Sequence, residues 1–203
     1  TLDDGTVPDF KMHYFDIRFS NICNFKCRTC GSEFSSQWAA EDRHYDKNKP
    51  IVIHADDHKG DLLQEGLDHV EHIDLAYFAG GEPMITDEHY VVLEELIRKG
   101  KTDTLLRYNT NASTVGYKKH DIFELWSHFD NIEVSCSIDS WGDRAELMRA
   151  GTNWGRVEEN LKRFLSELPE SKFVRISKSV ALNKEQIEKI DKNSRSKLVS
   201  WKT

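Results

Sequence analysis

The chain has 203 residues and a formal net charge of -7, with 38% hydrophobic and 31% charged residues. That is enough chain to bury one core, and the composition excludes a low-complexity tail. No window approaches 18 uncharged apolar residues, which excludes an ordinary membrane-spanning helix, and no basic stretch followed by an apolar run opens the chain as a signal peptide would. The acidic balance argues against a simple phosphate-backbone binder and leaves room for a local basic patch alone, so nucleic acid is not expected as a partner. Starting at Thr1, the chain reads as processed or cut from something longer.

In chain order, residues 1–12 hold Gly5 and Pro8 among polar residues and read as a lead-in. His13 to Ser20 alternates Phe15, Ile17 and Phe19 with Asp16, Arg18 and Ser20, the period of a strand. A cysteine loop follows, then a helix over Ser32–Tyr45 and a polar insertion over 46–66. A second strand is expected at Ile73–Ala79. Its helix runs from Thr86 to Lys99, with Asp87 and Glu88 in the first turn, Arg98 and Lys99 in the last and Gly100 beyond the end. Strands follow at Thr104–Asn109, Ile132–Ile138 and Phe173 to about Val180. Helices are expected over about 117–129, along the face Val157, Leu161, Phe164, Leu165 and Leu168, and from about Lys184.

Strands alternating with helices imply a parallel sheet with right-handed crossovers. Buried parallel strands are usually apolar throughout, yet one face here carries Asp16, Arg18, Arg107, Asn109, Glu133 and Arg175. A curled sheet with helices outside keeps such a face as a polar interior. The expected fold is therefore α/β, a partial, open parallel β/α barrel of TIM-like type with five to six βα units. It would fill residues 13–192, with a truncated C-terminal tail over 193–203. The charges on the polar face fit internal ion pairs or recognition of an anionic substrate equally well. The Lys and Arg run at the C-terminus reads as a solvated end.

Three of the four cysteines, Cys23, Cys27 and Cys30, lie within eight residues at the end of the first strand. A secreted disulfide scaffold would be denser, so the thiols point to a metal or cluster site in a reducing, cytoplasmic setting. Three thiolates need a fourth ligand to close a zinc site, whereas a cluster held by three leaves one iron open. Cys136 reads as a small buried residue.

The spacing C-x3-C-x2-C after a first strand resembles the signature of the radical S-adenosylmethionine (radical SAM) superfamily. Gly80-Gly81-Glu82-Pro83 at the end of the second strand is similar to that family's GGEP motif. Asn109-Thr110-Asn111 and Ser137-Ile138-Asp139 resemble two further segments, and Arg149 with Gly151 resembles an element of the branch with SPASM or twitch extensions. The resemblance implies a [4Fe-4S] cluster on Cys23, Cys27 and Cys30. It implies S-adenosylmethionine held by Gly80, Gly81, Glu82, Pro83, Thr110, Ser137 and Asp139. The activity it implies is reductive cleavage to a 5′-deoxyadenosyl radical that abstracts hydrogen from a substrate, in that branch a peptide or protein. An electron donor such as flavodoxin or ferredoxin follows from it, while no catalytic side chain is singled out. The alternatives from other classes are a zinc-binding structural module and an Fe–S electron-relay protein.

Overall fold

The computed structural model describes residues 2–55 and 61–168 and the backbone of 173–176. Strand β1 (Tyr14–Ile17) leads through a loop to the two-residue strand β2 (Lys26–Cys27) and helix α1 (Ser36–Asp42). Helix α2 (Leu62–Asp68), strand β3 (Leu75–Phe78) and helix α3 (Asp87–Arg98) follow, then strand β4 (Leu105–Thr110). The small hairpin β5 (Gly116–Tyr117) and β6 (His120–Asp121) leads into α4 (Ile122–Trp126) and strand β7 (Ile132–Cys136). Helix α5 (Gly142–Met148), strand β8 (Arg149–Ala150), helix α6 (Trp154–Glu167) and strand β9 (Phe173–Ile176) complete the described chain.

The main sheet is parallel, in the order β1-β3-β4-β7-β9. Each strand is laid down beside the previous sheet strand, so right-handed crossovers put the connecting helices on one face. That face is the core. Ala76, Phe78, Leu106, Tyr108, Ile132, Val134 and Cys136 point into it and are buried, against Leu93 and Leu96 of α3, Trp126 of α4 and Leu161 and Phe164 of α6. The opposite face carries the alternate residues, among them Tyr77, Arg107 and Glu133, which are half-buried, and the exposed Asn109. Arg107 Nε lies 2.7 Å from a Glu133 carboxylate oxygen and Arg18 Nε 3.7 Å from Asp16. At Arg107 the polar face is an ion pair on neighbouring strands.

The expectation of a partial, open β/α barrel of TIM-like type is corrected: the described strands form a parallel sheet with helices, and nothing in their pairing shows a barrel. The sheet is open: β1 and β9 stand at opposite ends and do not pair with each other. Even a partial barrel needs strand tilt and stagger to act together round the sheet. Among the described residues the sheet has five strands, with β1 and β9 at its edges.

Local signals place several elements where the sequence puts them. Helix α3 ends in a Schellman turn: the Gly100 N–H donates to Ile97 O (3.0 Å), the Lys101 N–H to Leu96 O (2.9 Å), and Gly100 takes φ +69°. Helix α6 starts on Asn153, whose side chain accepts from the Arg156 N–H (3.0 Å). Other elements differ. The helix expected over 117–129 shrinks to 122–126, because Lys118 at φ +53° turns a hairpin and Asp121 caps the Phe123 N–H (2.9 Å). The insertion over 46–66 contains the start of α2. The end of the fifth expected strand, the helix from Lys184 and the tail 193–203 lie outside the described residues.

Asn21 pins that insertion to the sheet end. It is buried, its Nδ2 donates to Ser32 O (2.8 Å) and Ile51 O (3.1 Å), and its Oδ1 accepts from the Ile53 N–H (2.9 Å). Asn21→Ala removes three hydrogen bonds at once and leaves their partners to water that reaches them only in part. Urea unfolding should show a loss of about 2 kcal/mol. A variant as stable as the parent would mean that the insertion contributes nothing to the fold.

Candidate functional site

The carboxyl ends of β1, β3, β4 and β7 meet a cavity of about 220 Å³. Ligand sites in open parallel sheets form at this rim, because the βα loops there are free to differ while the strands stay fixed. The sulfur-bearing residues Cys23, Cys27 and Cys30 all line it. Cys23 and Cys27 are buried and Cys30 is half-buried. The loop that carries them is held from three sides. The Ser35 hydroxyl donates to Phe25 O (2.6 Å), Trp38 Nε1 donates to Cys27 O (2.7 Å), and β2 pairs antiparallel with β8, Cys27 opposite Arg149.

Two of the thiols, Cys23 and Cys27, are held toward the protonated form by their surroundings. Burial pushes the Cys23 thiol up to about 12, against the weak opposition of the Phe25 N–H. Burial also raises the Cys27 thiol, and the Arg149 guanidinium, with Nη1 3.5 Å from the Cys27 sulfur, pulls the other way.

Gly80 and Gly81 line the same cavity. Gly81 lies against the loop after β1: its N–H faces Ser20 O (3.4 Å), and the next residue, Glu82, donates its N–H to Ile22 O (2.8 Å). Gly80 takes φ +109°, a conformation that glycine alone adopts without strain. Glu82 does not face the cavity. It is buried, one oxygen accepts from the Met84 N–H (3.2 Å) and the Thr110 hydroxyl (2.8 Å), and the other accepts from the Asn111 N–H (2.7 Å). Its desolvation raises the carboxyl to about 7, although these three donors favour the anion. Pro83 is buried and opens a single 3-10 turn, Pro83–Ile85.

Thr110 and Ser137 line the cavity from the ends of β4 and β7, joined by the Ser137 N–H on Thr110 O (2.7 Å). The Thr110 hydroxyl is spent on Glu82. Asp139 stands behind the rim, its carboxylate 2.7 Å from Arg149 Nε, with both side chains about one-sixth exposed. The two atoms face each other off the hydrogen-bonding direction, so the contact is ionic.

The structure thus gathers Cys23, Cys27, Cys30, Gly80, Gly81, Thr110 and Ser137 around one cavity, and puts Glu82, Pro83 and Asp139 in its supporting wall. Sequence reasoning missed the weight of Arg149, which links Cys27 to Asp139, and of Asn111. Asn111 holds Glu82 through its backbone and Asn24 through its side chain (2.9 Å). Asn111 sits inside the polar run at the end of β4, and that run was its signal.

A parallel sheet flanked by helices, with a cavity at its rim, defines an α/β protein. Residues 141–200 match the LytTr DNA-binding domain family, sixty residues that begin just before α5 and take in β8, α6 and β9. No curated protein matches the chain.

The family match contradicts the radical SAM assignment made from residues 12–182, and with it the reading of the chain as an enzyme. A DNA-binding domain works through contacts to nucleic acid and needs neither a [4Fe-4S] cluster nor S-adenosylmethionine. Both cofactors, the peptide or protein substrate and the flavodoxin or ferredoxin donor fall with that assignment. The expectation that nucleic acid is not a partner is contradicted by this match, which covers residues 141–200. The zinc-module and electron-relay alternatives lack support as well: among the described residues, no group of three or more His, Cys, Asp or Glu is placed to hold a metal ion. The resemblance rested on short motifs whose polar groups have structural work here. The Glu82 carboxylate and the Thr110 hydroxyl are engaged with each other and with backbone, and Asp139 is engaged with Arg149. Among the described residues, no helix is long and apolar enough to cross a membrane.

Proposed function

We propose that the chain binds DNA through the segment 141–200. The observation that carries this reading is the family match over those residues. Charge supports it. The segment holds thirteen Lys and Arg against nine Asp and Glu, whereas residues 1–140 hold fourteen against twenty-six. A basic segment on an acidic chain restricts phosphate contacts to one part of the molecule. Within the described part, α6 turns Val157, Leu161, Phe164 and Leu165 to the core and leaves Arg156 and Lys162 exposed. Arg163 is paired with Asp121 and Glu167, and Lys162 with Glu158, which leaves Arg144 and Arg156 as the described cations of the segment most open to a phosphate.

The test is fluorescence anisotropy of the full chain with a labelled duplex across a salt series. The affinity is expected to fall linearly on a log–log plot, by about 0.9 of a decade per decade of salt for each phosphate neutralised. Replacing Lys189, Lys192, Arg195 and Lys197 together by Glu should abolish binding. Absence of binding at low salt, or binding untouched by the four substitutions, would refute the proposal.

A second reading rests on the rim cavity. We propose that Gly80, Gly81, Thr110 and Ser137, with the three thiols, surround a small polar ligand. The volume and the mix of backbone, hydroxyl and sulfur groups support it. A fragment screen read by amide shifts tests it. Shifts gathered at Gly80, Gly81 and Ser137 are expected, and hits that never touch these residues would discard the reading. Four unpaired cysteines fit a reducing compartment, and we place the protein in the cytoplasm on that ground.

A further inference from the structure

The three thiols of the rim loop differ in what they can do chemically. The Cys30 N–H donates to Cys27 O (3.1 Å), which closes a four-residue turn over Arg28 and Thr29. A turn closed in this way brings its first and last α-carbons within about 7 Å. A disulfide needs α-carbons roughly 4.4–6.8 Å apart. Cys27 and Cys30 are therefore held at the ends of a turn of bridging size, and both side chains border the same cavity. Cys30 is the more exposed of the two.

The other thiols are occupied or remote. The Cys23 sulfur accepts from the Phe25 N–H (3.5 Å) and faces Asn111 Nδ2 (3.9 Å), and no turn hydrogen bond ties Cys23 to Cys27. Cys136 is fully buried in β7, on the face covered by the helices.

We propose that Cys27 and Cys30 form a reversible oxidation site that closes as an intramolecular disulfide. Hydrogen peroxide is the oxidant. The Cys30 thiolate attacks one peroxide oxygen, giving a sulfenic acid and, with a proton, one water. The Cys27 sulfur then attacks the Cys30 sulfur, the S–S bond forms, and hydroxide leaves as a second water with the proton from Cys27. Two thiols lose two electrons and two protons, and one peroxide becomes two waters. The bridge takes Cys27 away from Arg149, whose remaining charged partner is Asp139. Because Cys27 lies opposite Arg149 in the β2–β8 pairing, oxidation acts on the junction between the rim loop and the strand after α5.

The experiment uses the full chain, treated with hydrogen peroxide in native buffer, blocked with N-ethylmaleimide and digested with trypsin. Cleavage after Lys26 and Arg28 leaves Cys27 and Cys30 on separate peptides, which a disulfide alone holds together. The joined pair is expected as the main product, with Cys23 and Cys136 alkylated, and dithiothreitol should reverse it. Cys30→Ser should remove the joined product. Protein oxidised in urea provides the reference, where the turn is lost and Cys23 competes. Any of three results overturns the proposal: Cys23 joined in place of either partner in the native chain, the same mixture of pairings in native buffer and in urea, or Cys30 carried to sulfinic acid while Cys27 stays alkylatable.

Discussion

Gly81→Ala is expected to unfold the rim, and with it much of the protein's stability. A Cβ at residue 81 would stand 2.1 Å from Ile22 O and 2.6 Å from the Ile22 carbonyl carbon, both backbone atoms. Backbone cannot rotate away as the end of a side chain can. Either the loop after β1 moves, which breaks the Glu82 N–H bond to Ile22 O, or the turn after β3 moves, which drags Glu82 from its three donors. The cost should exceed about 3 kcal/mol, beyond ordinary overpacking. In a chain of this length the melting temperature should fall by roughly 6–12 °C, measured by circular dichroism. Gly100→Ala is the useful contrast: nothing stands within 4 Å of a Cβ there, and the strain of φ +69° is its sole penalty. A Gly81→Ala protein that melts no lower than Gly100→Ala would show that the contact between the two rim loops is dispensable.

The second large effect belongs to Glu82. Glu82→Ala strips the acceptor from two backbone N–H groups and one hydroxyl inside the protein, and leaves a void where the side chain was. Relief of the buried carboxylate offsets part of this, so a net loss of about 2–4 kcal/mol is expected. The pH dependence gives a separate readout. Burial raises the folded carboxyl to about 7, whereas an unfolded one titrates near its ordinary value of 4.5. The folded state therefore holds the proton more tightly. The stability this contributes is complete below about pH 4.5 and is lost as pH rises through 7, a slope worth up to about 3 kcal/mol. Unfolding curves from pH 4 to 8 should show that slope in the parent and not in Glu82→Ala. Glu82→Gln should also lose it, while keeping one acceptor oxygen and most of the volume. A parent profile flat over this range, or the same slope surviving in both variants, would mean that Glu82 is not the group responsible.

These two residues belong to one short motif, and in it Glu82 is engaged by the protein itself. Gly80-Gly81-Glu82-Pro83 reads as a ligand-binding turn because the glycines permit close approach and the carboxylate is the one acid there. In the folded chain the close approach is to the loop after β1, and the carboxylate is consumed by β4. Thr110 reads as a hydroxyl offered to a ligand and is the donor that holds Glu82. The charge bias of residues 141–200 was legible by counting. Divided over helices, loops and a tail read as solvated, it formed no periodic feature, so the acidic total of the whole chain masked it.

Several features follow from sequence alone, for local reasons. Asp87, Glu88, Arg98 and Gly100 fix the ends of α3, since capping and helix-dipole contacts reach no further than a turn. The alternation of Phe15, Asp16 and their counterparts in later strands separates a buried face from a polar one, since the side-chain period of a strand is two. Cys23, Cys27 and Cys30 reach one rim because eight residues of loop cannot carry them apart. Tertiary structure alone decided the rest. Glu82 meets Asn111 across 29 positions and Cys27 meets Arg149 across 122, separations at which no periodicity or spacing carries information. How far the sheet curls was decided in the same way, because curvature depends on strand number, tilt and stagger acting together. Whether a polar group serves a ligand or its own neighbours depends on which donors the fold brings within 3 Å of it.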